Sequence, residues 1–229
     1  MQAQAYTAPA MPARPLPRRR PGSGPLSALG VAGACLAAMA LLWVLAELVP
    51  ALQWRDAQVL RDFTLLSSPR IDDLGTFLLH LLNPLLFILW GVALVAVALA
   101  RERPRVAVAV AAILALAPWS TETLKPILAH PHVQIGYVHI GAASWPSGHS
   151  TAATILALSA VLVTPRRLRP LVAVIGALFV LAVTCSLLIL AWHMPSDVLG
   201  GYLVATLWAA LAVAALRAAD RRWPPRGGA

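Results

Sequence analysis

The chain has 229 residues, 59% of them apolar and only 12% charged, with a mean hydropathy of +0.75, a composition that excludes a soluble globular domain and leaves an integral membrane protein. Its net charge of +9 invites a nucleic-acid partner, but the arginines stand in four clusters beside apolar runs: Arg14, Arg18, Arg19 and Arg20; Arg101, Arg103 and Arg105; Arg166, Arg167 and Arg169; Arg217, Arg221, Arg222 and Arg226. That is the pattern of cytoplasmic membrane flanks, so nucleic acid is excluded as a partner and the bilayer takes its place.

Residues 1–25 are rich in Pro, Ala and Arg without an apolar run, and read as a disordered basic cytoplasmic tail. The apolar run over residues 26–49 is too long for a signal peptide and lacks a small-residue cleavage site, so it is expected to be a retained first span. Residues 50–73 interleave Trp54, Val59, Leu60, Phe63, Leu65 and Leu66 with charges at three- and four-residue intervals, which predicts a short interfacial helix serving as a connector. Further spans are expected at 74–100, 105–124, 148–164, 170–191 and 196–216. The second should kink at Asn83-Pro84.

The expected fold is therefore all-α: a polytopic bundle of six transmembrane helices over residues 26–216, followed by a second basic cytoplasmic tail at 217–229. With both termini cytoplasmic, the four clusters put 14 of the 18 basic residues inside. Seven of the nine acids (Glu47, Asp56, Asp62, Asp72, Asp73, Glu122 and Asp197) fall on or toward the outer side. The loop from Lys125 to His149 and the turn around His193 then face outward. Cys35 and Cys185 fall at different membrane depths and are not expected to pair. The sequence has no glycine-rich nucleotide loop, CxxC or HExxH, so no cofactor is expected.

Two outward segments carry chemistry. Pro146-Ser147-Gly148-His149 opens the fourth span, where free backbone N–H groups favour an anion, glycine permits its close approach, and His149 can hold a proton for a leaving group. His193 and Asp197 are four residues apart and share a helix face, so the carboxylate can orient the imidazole as a nucleophile. Pro195 and Ser196 mark a helix start between them. Glu122 stands three residues before Lys125 and is expected to be its ion-pair partner. His80 and Asn83 are polar residues inside a span, functional by default but equally suited to interhelical hydrogen bonds. His130 and His132 form a His-x-His pair without a third ligand, so no metal is expected.

These segments resemble the type-2 phosphatidic acid phosphatase superfamily, which shares its core with vanadium haloperoxidases. Its signature is K-x6-R-P, then P-S-G-H, then S-R-x5-H-x3-D. The second element is complete here at residues 146–149, the third is present at Ser186, His193 and Asp197, and the first retains Lys125. The resemblance covers about residues 26–216. It implies that His193 is the nucleophile, Asp197 its orienting partner and His149 the general acid, with phosphate bound by Lys125, Ser147, Gly148 and the third motif's Ser186. Two family arginines are replaced, one by His132 (followed by Val133) and one by Leu187, and each would have offered phosphate a charged fork. Substitutes in reach are His132, His130 and His139, or Arg55, Arg61 and Arg70.

The function expected from this pattern is hydrolysis of a lipid phosphate or pyrophosphate monoester at the outer face of a bacterial plasma membrane, with polyprenyl pyrophosphate, phosphatidic acid and phosphatidylglycerol phosphate as substrates to test. Two other readings stay open: phosphotransfer from the same phosphohistidine to another lipid or glycan, and a non-catalytic homologue that binds or moves an anionic lipid. A haloperoxidase is disfavoured because the cationic cradle has lost charge. The sequence sets no oligomeric state.

Overall fold

The computed structural model describes residues 24–133 and 139–223. The expected N-terminal tail up to residue 23, the last six residues and positions 134–138 of the Lys125–His149 loop lie outside the described residues. Within them the chain forms eight α-helices and no strand: α1 (Pro25–Leu48), α2 (Pro50–Thr64), α3 (Pro69–His80), α4 (Pro84–Ala100), α5 (Pro104–Ile127), α6 (Gly148–Val163), α7 (Arg169–Ile189) and α8 (Pro195–Arg222). Proline stands at the first or second position of every one except α6. There its fixed φ suits the helix and its missing N–H costs no hydrogen bond.

Four helices, α1, α5, α7 and α8, are long and apolar enough to cross a membrane. The α3–α4 pair, bent by 55° at its break, meets the same test only when its two helices are taken together, as a broken span or a re-entrant loop. The expected fourth span is the 16-residue apolar helix α6, shorter than the helices long enough to cross a membrane. The chain is an all-helical integral membrane protein. The expected kink at Asn83-Pro84 is the α3–α4 break, where Asn83 Oδ1 caps α4 by accepting from the Leu86 N–H at 2.9 Å. This second span begins earlier than expected, at Pro69, so residues 50–73 hold all of α2 and the first turn of α3. Helix α2 turns Ala57, Leu60 and Thr64 inward, at the helical spacing expected of it. Helix α8 runs past residue 216 to Arg222, and its last turns are held to the start of α5 by an Arg105–Asp220 ion pair of 3.1 Å.

Helix α1 packs along α8, and α6 lies among α4, α5, α7 and α8. Gly200 and Gly201 let α6 and α8 approach closely: a Cβ at Gly200 would lie 2.7 Å from the Trp145 ring, and one at Gly201 would overlap Ser150 Oγ and lie 2.6 Å from the Ser147 carbonyl. The seam is laced by hydrogen bonds from Ser147 N–H to the Asp197 carbonyl (2.9 Å), Ser150 Oγ to Val198 O (3.0 Å) and Thr151 Oγ1 to Gly201 O (3.2 Å). The N-termini of α6 and α8 are thereby fixed side by side. They lie at the same end of the bundle as the C-terminal turns of α1 and α5. The described arginine clusters gather at the other end, where Arg103 donates to Leu162 O (3.1 Å) and Arg217 to Gly24 O (3.2 Å).

Candidate active site

The P-S-G-H segment opens α6 as expected. Ser147 is its N-cap, with Oγ accepting from the Ser150 N–H at 3.4 Å. The hydroxyl is fully buried, so it stiffens the turn. Gly148 and His149 occupy the first helical positions, where backbone N–H groups have no acceptor within the helix and favour an anion. Lys125, one turn from the end of α5, reaches over this point. A Cβ on Gly148 would stand 3.6 Å from Lys125 Nζ and 3.2 Å from Glu122 Oε1, and the expected Lys125–Glu122 pair is present at 2.7 Å.

Lys125, Gly148 and His149 line a cavity of about 590 Å³. Its walls carry apolar side chains of α3, α4 and α5, among them Leu79, Phe87, Ile88 and Pro118, together with His80, Asn83 and Trp192. A polar end formed by the paired Lys125 and Glu122, histidines and a helix N-terminus thus continues into an apolar trough. Trp192 meets His149 edge to face, with ring centroids 5.6 Å apart, which limits how the imidazole can turn.

His193 sits in the short turn between α7 and α8, and Asp197 is the third residue of α8, as their spacing predicted. Asp197 is wholly buried. Its Oδ2 accepts from the Met194 N–H at 2.9 Å and lies 3.3 Å from His193 Nδ1. A carboxylate can only accept, so Nδ1 carries the proton and Nε2 keeps its lone pair. His149 lies within electrostatic reach of His193, Lys125 and His80, so three of these four groups are ones the motifs singled out. The Trp145–Pro146 peptide ahead of α6 is cis.

The remaining site expectations scatter. Ser186 Oγ donates to the Ala182 carbonyl at 2.9 Å and lies against Gly75 of α3. Leu187, at one arginine position, is fully buried in the core. His132, at the other, directs Nε2 to Ser144 Oγ at 2.8 Å and Nδ1 toward Glu47 Oε2 at 3.4 Å. Burial pushes its imidazole down from the ordinary value, opposed mainly by the charge of Asp197. His130 Nδ1 stands 3.7 Å from the same Glu47 oxygen. Arg55 reaches Gln58 on its own helix. His139 has contacts of its own and does not line the cavity.

Two acids went unassigned from the sequence. Asp56 of α2 accepts from both Ser196 N–H and Ser196 Oγ, clamping α2 to the start of α8, and burial pushes its carboxyl up despite those bonds. Glu47, in the last turn of α1, is 1% exposed. A lone acid ending an apolar span was the available signal, because ionisable groups there are rarely idle. Glu47, His132 and Asp197 each offer a potential ligand atom, all within 4.8 Å of one another, a grouping of His132 with two carboxylates that its local sequence does not show.

Residues 77–221 match the model of the PAP2 superfamily. The chain belongs to this family. No curated protein sequence matches it. Among solved structures it is similar to one described as the first transmembrane PAP2 type phosphatidylglycerolphosphate phosphatase from Bacillus subtilis, with a TM-score of 0.61 at 20% identity, covering 86% of this chain and 98% of that one. At that identity the likeness establishes the shared fold. The family match takes in Lys125, the P-S-G-H turn, His193 and Asp197.

Proposed function

We propose that the chain is a membrane lipid phosphatase that hydrolyses a phosphate or pyrophosphate monoester of a lipid through a phosphohistidine on His193. The observation that carries this reading is the cavity with Lys125, Gly148 and His149 at its polar end and apolar side chains along its walls, with His149 in electrostatic reach of His193, whose Nδ1 faces Asp197. Phosphate oxygens would rest on Lys125 and the α6 N–H groups, with Ser147 holding that turn rigid and the lipid chain lying along α3 to α5. His193 Nε2 would attack phosphorus as the bond to the leaving oxygen breaks, and His149 would supply that oxygen's proton. Water would then attack the phosphohistidine, giving its proton to His149 and releasing phosphate and free His193.

In the same proposal α6 and the bent α3–α4 pair complete a six-span topology with both termini cytoplasmic and the site outward, because the arginine clusters gather at the opposite end of the bundle. Polyprenyl pyrophosphate is the first substrate to test, with phosphatidic acid and phosphatidylglycerol phosphate next. Purified chain and His193→Ala should be compared on this panel for phosphate release. Release by the first and not the second is expected, and equal release would remove the reading. Label recovered in a second lipid instead of in free phosphate would make the enzyme a phosphotransferase.

A further inference from the structure

The three donors behind the dyad come from distant parts of the chain: Glu47 ends α1, His132 lies in the α5–α6 loop, and Asp197 opens α8. Glu47 and Asp197 are 1% and 0% exposed. Among the described residues, neither oxygen of Glu47 nor Oδ1 of Asp197 has a hydrogen-bond partner. Three bare oxygens on two neighbouring buried carboxylates must be met by a proton or by a cation. Glu47 Oε2 and His132 Nδ1 face each other at 3.4 Å without a hydrogen bond. Ligands about 2.0–2.1 Å from a zinc ion at tetrahedral angles stand about 3.3–3.4 Å apart, so this separation matches the edge of such a polyhedron, while the three donors together lie within 4.8 Å and would draw in around an ion.

The outer side of His132 agrees. A metal-binding histidine normally gives its other ring N–H to an acceptor that fixes its orientation, and His132 Nε2 lies 2.8 Å from Ser144 Oγ. We infer that Glu47 Oε2, His132 Nδ1 and Asp197 Oδ1 bind a divalent transition-metal ion, zinc by the mixture of imidazole and carboxylate donors. Two carboxylates, a neutral imidazole and a doubly charged ion sum to zero. The fourth position faces His130, whose Nδ1 is 3.7 Å from the shared Glu47 oxygen, and a water completes the set. Asp197 Oδ2 remains with His193 and the Met194 N–H. The ion therefore ties α1 and the loop to the carboxylate that orients His193 and contacts no substrate. This inference stands on the donor geometry and does not need the phosphatase reading.

The test uses the full-length, tag-free chain in detergent, exchanged with Zn²⁺ or Co²⁺, desalted and assayed by mass spectrometry for metal per chain. Near one ion per chain is expected for the wild type and for His80→Ala, a control for casual histidine binding. Glu47→Gln and His132→Ala should lose it. Ser144→Ala keeps every ligand and should weaken affinity about 10–100-fold, which covers the case in which a ligand variant fails to fold. The visible absorption of the Co²⁺ form should show low-symmetry coordination in the wild type. A wild type that retains no metal, or Glu47→Gln and Ser144→Ala proteins that bind as tightly as wild type, would overturn the inference, whatever the lipid assays show.

Discussion

A single carboxylate sets the tautomer of His193, the proposed nucleophile. Asp197 Oδ2 faces His193 Nδ1 at 3.3 Å and also accepts from the Met194 N–H, so Asp197→Asn preserves volume and, with its one carbonyl oxygen on that N–H, the backbone contact, while removing the negative charge that holds the Nδ1 proton and stabilises the attacking imidazole. On the proposed mechanism kcat should fall by about 10²–10⁴-fold, the usual scale for a positioned acid–base partner, with KM and thermal unfolding little changed. Steady-state assays showing more than a tenth of wild-type kcat would remove Asp197 from that role. The placement of these residues was readable because the spacing is local: His193 and Asp197 are four residues apart, and Ser147, Gly148 and His149 are consecutive. The setting of His132 was not readable. Its partner Glu47 lies far off in the chain, and only the packing of α1 against α8 delivers that carboxylate to the loop. Nor does the sequence show that Leu187 faces the core, since a leucine suits lipid and core alike.

At the scale of helices, the positions of the catalytic groups follow from how closely α6 approaches α8. Gly201→Ala would bring a methyl group against Ser150 Oγ and to 2.6 Å from the Ser147 carbonyl, in a seam whose backbone hydrogen bonds leave no slack. Overpacking of this kind costs about 1–3 kcal/mol, and it would spread the two N-termini that carry His149 and His193. Gly33→Ala is the matched control, because a Cβ there meets nothing within 4 Å and alanine favours a helix by about 0.5–1 kcal/mol. Thermal unfolding in detergent should therefore drop for the first and hold or rise for the second, and activity should follow only the first. Equal behaviour would mean that the seam is softer than its contacts imply. Helix starts were legible because prolines mark them, and the Asn83-Pro84 break was legible for the same reason. The start of α3 was missed although Pro69 marks it as the other prolines do, because the charges Arg70, Asp72 and Asp73 join its first turn to the amphipathic run of residues 50–66.

Across the whole molecule, charge separates along the bundle axis. Arg101, Arg103, Arg105, Arg166, Arg167, Arg169, Arg217, Arg221 and Arg222 lie at the helix ends opposite His149 and His193, and that asymmetry orients a membrane protein with its arginines inside. A probe of sidedness tests that orientation. Both native cysteines are unpaired and would first be replaced by serine or alanine. A single cysteine is then placed at His130, in the loop beside the site, or at Glu102, in the exposed α4–α5 turn. In intact bacterial cells expressing the chain, a membrane-impermeant maleimide should label the first and leave the second unreacted until the membrane is opened. The reverse pattern would place the cavity on the cytoplasmic side and require its lipid phosphate to be drawn from the inner leaflet. Labelling of both in intact cells would dissolve the proposed topology, since one polarity of the bundle cannot expose its two ends to the same compartment.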